Sequence, residues 1–269
     1  MSADSPEPEV GAPPPEPDAE KLAEGTLISH LIELRSRLLK AAAAILVLFI
    51  GLVPFAETIF TLVATPLMEQ LPEGATMIAT QVASPFLTPF KMTLFVALFL
   101  AMPVILYQLW QFIAPGLYRN EKRFAVPLLL SSIVLFYAGV SFAYYVVFPL
   151  MFSFFAAAAP EGVTMMTDIS AYLDFILTLF FAFGIAFEVP IATVMLVSSG
   201  LVPLKTLGQA RPYVFLGAFV AGMFLTPPDA ISQTLLAVPV YLLYESGLVL
   251  CRILGAERTE AQEEESGAS

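Results

Sequence analysis

Cysteine, histidine and charged residues are all scarce in this sequence. One cysteine (Cys251) and one histidine (His30) occur in 269 residues, so no disulfide framework is possible and a Cys/His metal site is not expected. Charged residues make up 13% of the chain, whereas they make up about a quarter of a soluble domain. Hydrophobic residues reach 58% and form long runs. This balance excludes an ordinary soluble domain and predicts a polytopic helical membrane protein.

Sequence signals of catalysis are missing as well. The chain has no glycine-rich phosphate loop and no cluster of metal-ligating residues, and its single histidine lies outside the apolar runs. No enzyme, catalytic residue, metal or cofactor is therefore predicted, and any energy source has to come from outside the chain. The first 24 residues are acidic and proline-rich, so no cleavable signal peptide is expected.

The net charge of −11 comes mainly from the two ends of the chain. Residues 1–24 hold seven acidic residues, one lysine and six prolines, and residues 255–269 hold five acidic residues and one arginine. The 230 residues between them carry 11 acidic and 10 basic side chains. The acidity therefore says little about what the membrane domain binds, and residues 1–24 are expected to be disordered.

Six apolar stretches predict six transmembrane helices. They cover about residues 38–55, 92–114, 125–153, 172–197, 212–225 and 230–250. Residues 57–90 contain four prolines and are expected to form a long external segment. Every span contains or borders a proline, which predicts bent helices rather than a straight bundle. The fifth span rises only roughly 21 Å against a hydrocarbon core of about 30 Å, so a protein that docks partners there is favoured.

Lysine and arginine residues are distributed very unequally between alternate loops. Eleven of the 12 fall on one side, and Lys91 alone falls on the other. Cationic loops are retained in the cytoplasm, so both termini are predicted to be cytoplasmic. The predicted fold is an all-α polytopic membrane protein with six bent transmembrane helices in a concave bundle. Its domains are a disordered tail (1–25), the transmembrane domain (26–253) and an acidic cytoplasmic tail (254–269).

Glu188 is an ionisable residue inside the fourth span. A charged side chain at the bilayer centre costs about 2.5–3.5 kcal/mol on insertion scales, and such residues are functional by default. Two interpretations are open: a polar contact for a transported or docked element, which is favoured, and a hydrogen bond inside the bundle. Asp168 and Asp229 precede the fourth and sixth spans and are predicted N-caps. Gln233 could hydrogen-bond either to a partner helix or within the bundle, and the sequence favours neither interpretation.

A short loop between the second and third spans places one carboxylate, Glu121, among Arg119, Lys122 and Arg123. Glu121 can simply solvate this loop, or it can accept a cationic ligand. Glu33 lies four residues before Arg37, which is the favourable order for an ion pair on a helix surface. Spacing alone favours this ion pair over a functional role for Glu33.

Aromatic residues near the same loop fit the belt that marks a membrane interface. Tyr107, Trp110, Phe112 and Tyr118 are all given this interpretation from the sequence. His30 is interpreted as a solvated or capping residue rather than as a catalytic one.

Several segments together resemble one known family, the TatC family, which is the six-span subunit of the twin-arginine protein translocase. The resemblance covers about residues 26–252. It is carried, in order, by His30–Arg35, Ser84–Lys91, Tyr107–Lys122, Phe183–Pro190, Arg211–Tyr213 and Thr226–Gln233. The acidic extension at 1–24 and a loop at 198–210 with few basic residues depart from the family pattern.

The resemblance implies a function and a set of site residues. The family exports folded proteins from the cytoplasm across the bacterial inner membrane, driven by the proton-motive force, and it works in a multimeric complex with single-span TatA and TatB subunits. By this resemblance, twin-arginine signal peptides bind at Glu33, Arg35, Phe112, Leu117 and Glu121. The intramembrane carboxyl is Glu188, the partner-subunit contacts are Met223, Thr226 and Gln233, and Pro66 lies in an external loop that the family also uses. Nucleic acid is not an expected partner, whereas membrane lipid is.

Physical chemistry is consistent with this expectation. Two adjacent guanidinium groups are matched by carboxylates in bidentate geometry, which a lysine ammonium does not reproduce. Glu33 and Glu121, both at the cytoplasmic interface, suit such a ligand. The alternative is a proton-coupled small-solute transporter that uses Glu188, although it would usually need a second ionisable partner at the midplane.

Overall fold

The computed structural model describes residues 18–68, 76–117, 125–158, 166–225 and 229–267, and side chains over narrower parts of these ranges. Ten α-helices occur within them: α1 (Asp18–Leu52), α2 (Ala56–Met68), α3 (Ser84–Leu117), α4 (Ala125–Phe142), α5 (Phe148–Ala158), α6 (Ile169–Ala186), α7 (Val189–Ser198), α8 (Leu204–Gln209), α9 (Arg211–Leu225) and α10 (Ala230–Gly267). Two short strands, β1 (Thr76–Ile78) and β2 (Met166–Asp168), pair in parallel.

The helices form six apolar spans, as predicted. In the described part of the chain, five are long and apolar enough to cross a membrane: Ser29–Thr65, Ser84–Phe112, Val126–Phe155, Ile169–Ser198 and Ala230–Ile253. The sixth is the shorter helix α9, whose 15 residues confirm that the fifth span is unusually short. All-α polytopic architecture is therefore confirmed.

Two predicted boundaries are wrong. The first span does not end at residue 55, because a short 3₁₀ turn at Val53–Phe55 carries α1 directly into α2. The second span begins at Ser84 rather than at 92. Pro85 did not mark a loop, because it occupies the first turn of α3, where the missing N–H has no helical partner to lose.

The boundary predicted between a disordered tail and the membrane domain, at residues 25 and 26, also falls inside a helix. Helix α1 already begins at Asp18. Its first turns, Asp-Ala-Glu-Lys-Leu-Ala-Glu, consist mostly of residues with high helix propensity, and continuity with a long apolar helix favours their ordering. The rest of the predicted tail, residues 1–17, lies outside the described residues.

Prolines accompany interruptions of the regular α-helices, although not at every position. Pro54 lies in the 3₁₀ turn, and a π-helical segment at Ala143–Val147 precedes Pro149. The fourth span is interrupted at Phe187 and Glu188, just before Pro190. By contrast, α10 continues through Pro239. Each break leaves backbone carbonyls that neighbouring helices have to accommodate.

Small residues allow the helices to cross closely. A Cβ atom on Gly139 would lie 2.4 Å from the carbonyl oxygen of Phe183, and one on Gly184 would lie 2.5 Å from the ring of Phe136. Where α7 meets α10, a Cβ on Gly247 would lie 2.9 Å from the Cα of Pro190. These contacts bring α4, α6, α7 and α10 together around buried phenylalanines, as expected where van der Waals packing drives helix association.

The end of the bundle that carries β1 and β2, here called the strand end, is tied together by Asp168. Its carboxylate caps α6 by accepting the N–H groups of Ser170 and Ala171 at 2.9 and 3.0 Å. It also accepts the hydroxyl and N–H of Thr80, at 2.5 and 2.8 Å. These hydrogen bonds, led by that of the Thr80 hydroxyl, lower the pKa of Asp168 to about 2. Both predicted caps are confirmed, since Asp229 likewise accepts two N–H groups of α10.

Candidate functional site

The opposite end of the bundle, where α1 and α3 pack together, carries a cluster of polar and aromatic side chains. Arg37 donates from Nε and Nη2 to Oε1 of Glu33, at 3.0 and 2.5 Å. It also donates from Nη1 to Oε1 of Gln111 on α3, at 2.7 Å. Gln111 in turn donates from its amide to the Tyr107 hydroxyl. We call these four residues, with His30 and Phe112, the α1–α3 cluster.

Glu33 keeps an accessible carboxylate within this cluster. Both bonds from Arg37 end on Oε1, and in the described part of the chain no hydrogen bond to Oε2 is found. The Glu33 side chain is 39% exposed, whereas that of Arg37 is 17% exposed. The predicted Glu33–Arg37 ion pair is therefore confirmed, and it leaves Oε2 of a partly exposed carboxylate without a hydrogen bond among the described residues.

Aromatic stacking shapes the surface beside Glu33. The rings of His30 and Phe112 stack with centroids 4.3 Å apart and planes 24° from parallel. Phe112 is half-buried, and His30 and Arg35 are exposed. The structure thus brings Glu33, Phe112 and His30 to one face.

Other predicted site residues cannot be placed on this face. Leu117 is the last residue of α3, but its side chain lies outside the description, and Glu121 and Tyr118 lie outside the described residues altogether. Gln111 was missed by the sequence analysis. A glutamine in an apolar stretch was the available signal.

Trp110 does not belong to an interfacial belt, so that prediction is wrong. Its side chain is only 8% exposed, and its Nε1 donates to Oγ of Ser132 at 3.2 Å. The tryptophan lies on the face of α3 that meets α4, because Phe136 and Leu106 pack in the same core cluster. Burial of the indole is possible because Ser132 satisfies its N–H.

The Ser132 hydroxyl connects Trp110 to Glu188. Ser132 is fully buried and donates to Oε2 of Glu188 at the interruption between α6 and α7. The other carboxyl oxygen, Oε1, is buried and has no hydrogen-bond partner among the described residues. A bundle-internal bond, one of the two predicted alternatives, is therefore present for one oxygen only. Ser132 was missed because a lone serine in an apolar span carries little signal.

Besides the α1–α3 cluster and the contacts of Glu188, a third set of polar side chains joins the short helix α9 to α10. Arg211 makes a bidentate pair with Glu245, Nε to Oε1 at 2.6 Å and Nη2 to Oε2 at 2.9 Å. The Tyr241 hydroxyl donates to the same carboxylate at 3.0 Å. Gln233 uses its amide to bond the Phe219 carbonyl at 2.6 Å, which is the internal alternative of the sequence analysis.

Met223 is 53% exposed on α9, and Thr226 lies outside the described residues. The contact of α9 with partner subunits therefore stays a prediction. Glu245 and Tyr241 were missed because, among the polar residues of the sixth span, the sequence analysis gave a role only to Gln233.

Six apolar spans, with a carboxyl group buried among them, define a multi-pass helical membrane protein. Comparison with known proteins identifies which kind. Residues 29–239 match the family model described as "Sec-independent protein translocase protein (TatC)". TatC of Azotobacter chroococcum is 60% identical over 222 residues, which are 82% of this chain and 87% of that protein. TatC of Escherichia coli K12 is 56% identical over 226 residues, covering 84% and 88%.

A solved structure agrees with the sequence relatives. The crystal structure described as that of the twin arginine translocase receptor TatC superposes with a TM-score of 0.75 at 38% identity, covering 83% of this chain and 98% of that one. The chain therefore belongs to the TatC family, as its motifs predicted. It is a component of the Sec-independent, twin-arginine protein translocase and therefore a protein-transport subunit.

Proposed function

We propose that this protein is the signal-peptide receptor and core subunit of the twin-arginine translocase. In this proposal it binds the twin-arginine signal peptides of folded cargo at the α1–α3 cluster. The observation that carries the proposal is the exposed carboxylate of Glu33, next to the stacked pair His30 and Phe112. A solved relative that is described as the twin arginine translocase receptor supports it.

The chemistry of the α1–α3 cluster suits a guanidinium ligand. One oxygen of Glu33 is engaged by Arg37, which fixes the carboxylate in place, and the other is available to accept from an incoming arginine. Guanidinium groups also stack on aromatic faces, which the neighbouring Phe112 and His30 rings provide. We assign Glu121, Leu117 and Arg35 to the same site by family resemblance, with Glu121 as the acceptor for the second arginine.

The cluster lies at the end of the bundle that the cation distribution places in the cytoplasm. This orientation puts both termini in the cytoplasm of a bacterial cell and the strand end outside its inner membrane. Signal peptides on newly made cargo would then reach Glu33 directly. Transport is driven by the proton-motive force, with no catalysis by this chain.

Single-span TatA-like and TatB-like subunits are the proposed partners at α9 and α10. Helix α9 is too short to match a bilayer by itself, so association with another helix would relieve the mismatch. Met223 is exposed there, and Gln233 and Thr226 are assigned to the same contact. The carboxyl of Glu188 is assigned as a further polar contact for a docked element, which would have to part the surrounding helices because the unpartnered oxygen is buried.

The experiment that tests this proposal compares Arg-Arg and Lys-Lys versions of one signal peptide. We expect the purified complex to retain the Arg-Arg peptide, and both Glu33→Gln and Glu121→Ala to abolish capture. Glu57→Gln is the matched control, because Glu57 is an exposed glutamate near the start of α2. Equal retention of the two peptides by the unaltered complex would refute the proposal.

The alternative, a proton-coupled small-solute transporter, gains no support from the contacts of Glu188. The groups that it contacts are the hydroxyl of Ser132 and, through it, the indole of Trp110. Neither is a second ionisable group of the kind that proton relays use, within the described part of the chain.

A further inference from the structure

We propose that Trp110 and Ser132 are positioning residues for Glu188, and that they connect this intramembrane carboxyl to the α1–α3 cluster. The connection to signal recognition rests on the function proposed above. The positioning itself does not, because it follows from contacts among α3, α4 and the break before α7. Neither Trp110 nor Ser132 was assigned a role by the family resemblance.

Three side chains from three separate helices form one directional hydrogen-bond chain. The indole N–H of Trp110 on α3 donates to Ser132 on α4, and the Ser132 hydroxyl donates to Glu188. Ser132 can therefore accept and donate at once, and removing it leaves a donor and an acceptor without partners. Ser132 is fully buried and Trp110 nearly so, which keeps water from replacing the lost bonds.

This hydrogen-bond chain ends at the interruption of the fourth span. Glu188 lies where α6 stops and α7 starts, with Pro190 in the first turn of α7. Its side chain makes no capping bond to α7, so the helix does not hold the carboxyl in one direction. Ser132 supplies the hydrogen bond that fixes which oxygen faces α4, and thereby directs Oε1 elsewhere.

The same turn of α3 reaches the α1–α3 cluster. Gln111 and Phe112 follow Trp110 directly, and they contact Arg37 and His30 on α1. Successive residues of a helix point about 100° apart, so Trp110 faces α4 while the next two residues face α1. A ligand that shifts or rotates α3 against α1 would therefore move Trp110 as well.

The length of the hydrogen bond from Trp110 to Ser132 makes this contact sensitive to small movements. The bond is 3.2 Å long, at the upper end of the ordinary range for N–H donors, about 2.7–3.2 Å. A displacement of a few tenths of an ångström is enough to weaken it. Glu188 would then lose its orientation without any direct contact with a signal peptide.

Intrinsic fluorescence offers a direct test, because Trp110 is the only tryptophan in the chain. We expect Ser132→Ala, in the purified full-length protein, to shift Trp110 emission to shorter wavelength, since the indole loses its acceptor. Ser131→Ala is the matched control, because Ser131 is exposed and bonds within its own helix to the Pro127 carbonyl. Identical emission from both variants and the unaltered protein would overturn the proposed contact.

A double-mutant cycle on export tests whether the contact acts through Glu188. We expect Ser132→Ala to reduce export roughly five- to tenfold, the change that corresponds to one typical hydrogen bond. The same substitution in a Glu188→Ala background should reduce it further by less than about twofold. Equal losses in the two backgrounds would show that Ser132 only contributes packing and would refute the positioning role.

Peptide titration separates this proposal from the receptor function. A twin-arginine peptide should change Trp110 emission in the unaltered protein and in Ser131→Ala but not in Ser132→Ala, while all three bind the peptide equally. If none of these three proteins binds the peptide, only the receptor function is contradicted, and the positioning of Glu188 by Ser132 is not. Binding without any change in emission would contradict the connection between the cluster and Glu188.

Discussion

Replacing Gly139 by alanine tests whether close crossing of α4 and α6 holds the bundle together. The new Cβ would lie 2.4 Å from the carbonyl oxygen of Phe183 and 2.9 Å from the ring of Phe187. An ordinary contact of this kind is about 3.4 Å or longer, so the two helices must separate by about 1 Å. The obstructing atom belongs to the backbone of α6, which cannot rotate away as a side chain would.

The magnitude follows from two opposing effects. Alanine in a helix is more stable than glycine by about 1 kcal/mol, whereas overpacking a tight core costs about 1–3 kcal/mol. The loss of contacts around the buried Phe183 adds to this cost. We expect Gly139→Ala to lower the free energy of unfolding by about 1–2 kcal/mol. Gly217→Ala should instead be neutral or stabilising, because nothing lies within 4 Å of its Cβ position.

Unfolding of the purified protein in detergent, followed by helical circular dichroism against temperature, measures both variants. A lower midpoint for Gly139→Ala together with an unchanged or higher midpoint for Gly217→Ala supports close packing. Shifts of the same sign and size in the two variants would refute the steric argument, since they would reflect helix propensity alone.

Two further predictions concern the carboxyl groups. Glu188→Gln should keep more export activity than Glu188→Ala, because an amide oxygen can still accept from Ser132; equal loss in an export assay would favour proton titration instead. The hydrogen bonds of Asp168 lower its pKa to about 2, so the stability that they supply should be complete above about pH 4 and should be lost as the pH falls towards 2. Acid unfolding of Asp168→Asn should show a smaller dependence on pH in this window, and an unchanged dependence would contradict the assignment.

The sequence analysis predicted the number of spans because a lipid bilayer imposes a strong physical requirement. A segment without internal hydrogen bonds cannot cross the hydrocarbon core, so any apolar run of sufficient length becomes a helix. Proline was a poorer guide to boundaries. Pro85 lies in the first turn of α3 and Pro239 lies inside α10, and composition alone does not distinguish such positions from loops.

Local polar interactions were also predictable from spacing. Asp168 and Asp229 cap helices that start directly after them, and Glu33 pairs with Arg37 one helical turn away. Each of these interactions is decided within four residues of the chain. Trp110 shows the limit of this reasoning, because an interfacial tryptophan and a buried one have the same sequence context until the facing helix is known.

The amino-acid sequence by itself determined the membrane architecture, the short fifth span, the caps and the family, because each depends on composition, spacing or motifs along one stretch of chain. Only the tertiary structure decided that Ser132 stands between Trp110 and Glu188, that Gln111 joins Arg37, and that Glu245 holds Arg211. The partners in these contacts are separated by 22 to 74 positions along the chain. Their contacts depend on which face each helix turns towards its neighbour, and that is set by packing around small residues such as Gly139 rather than by any local pattern.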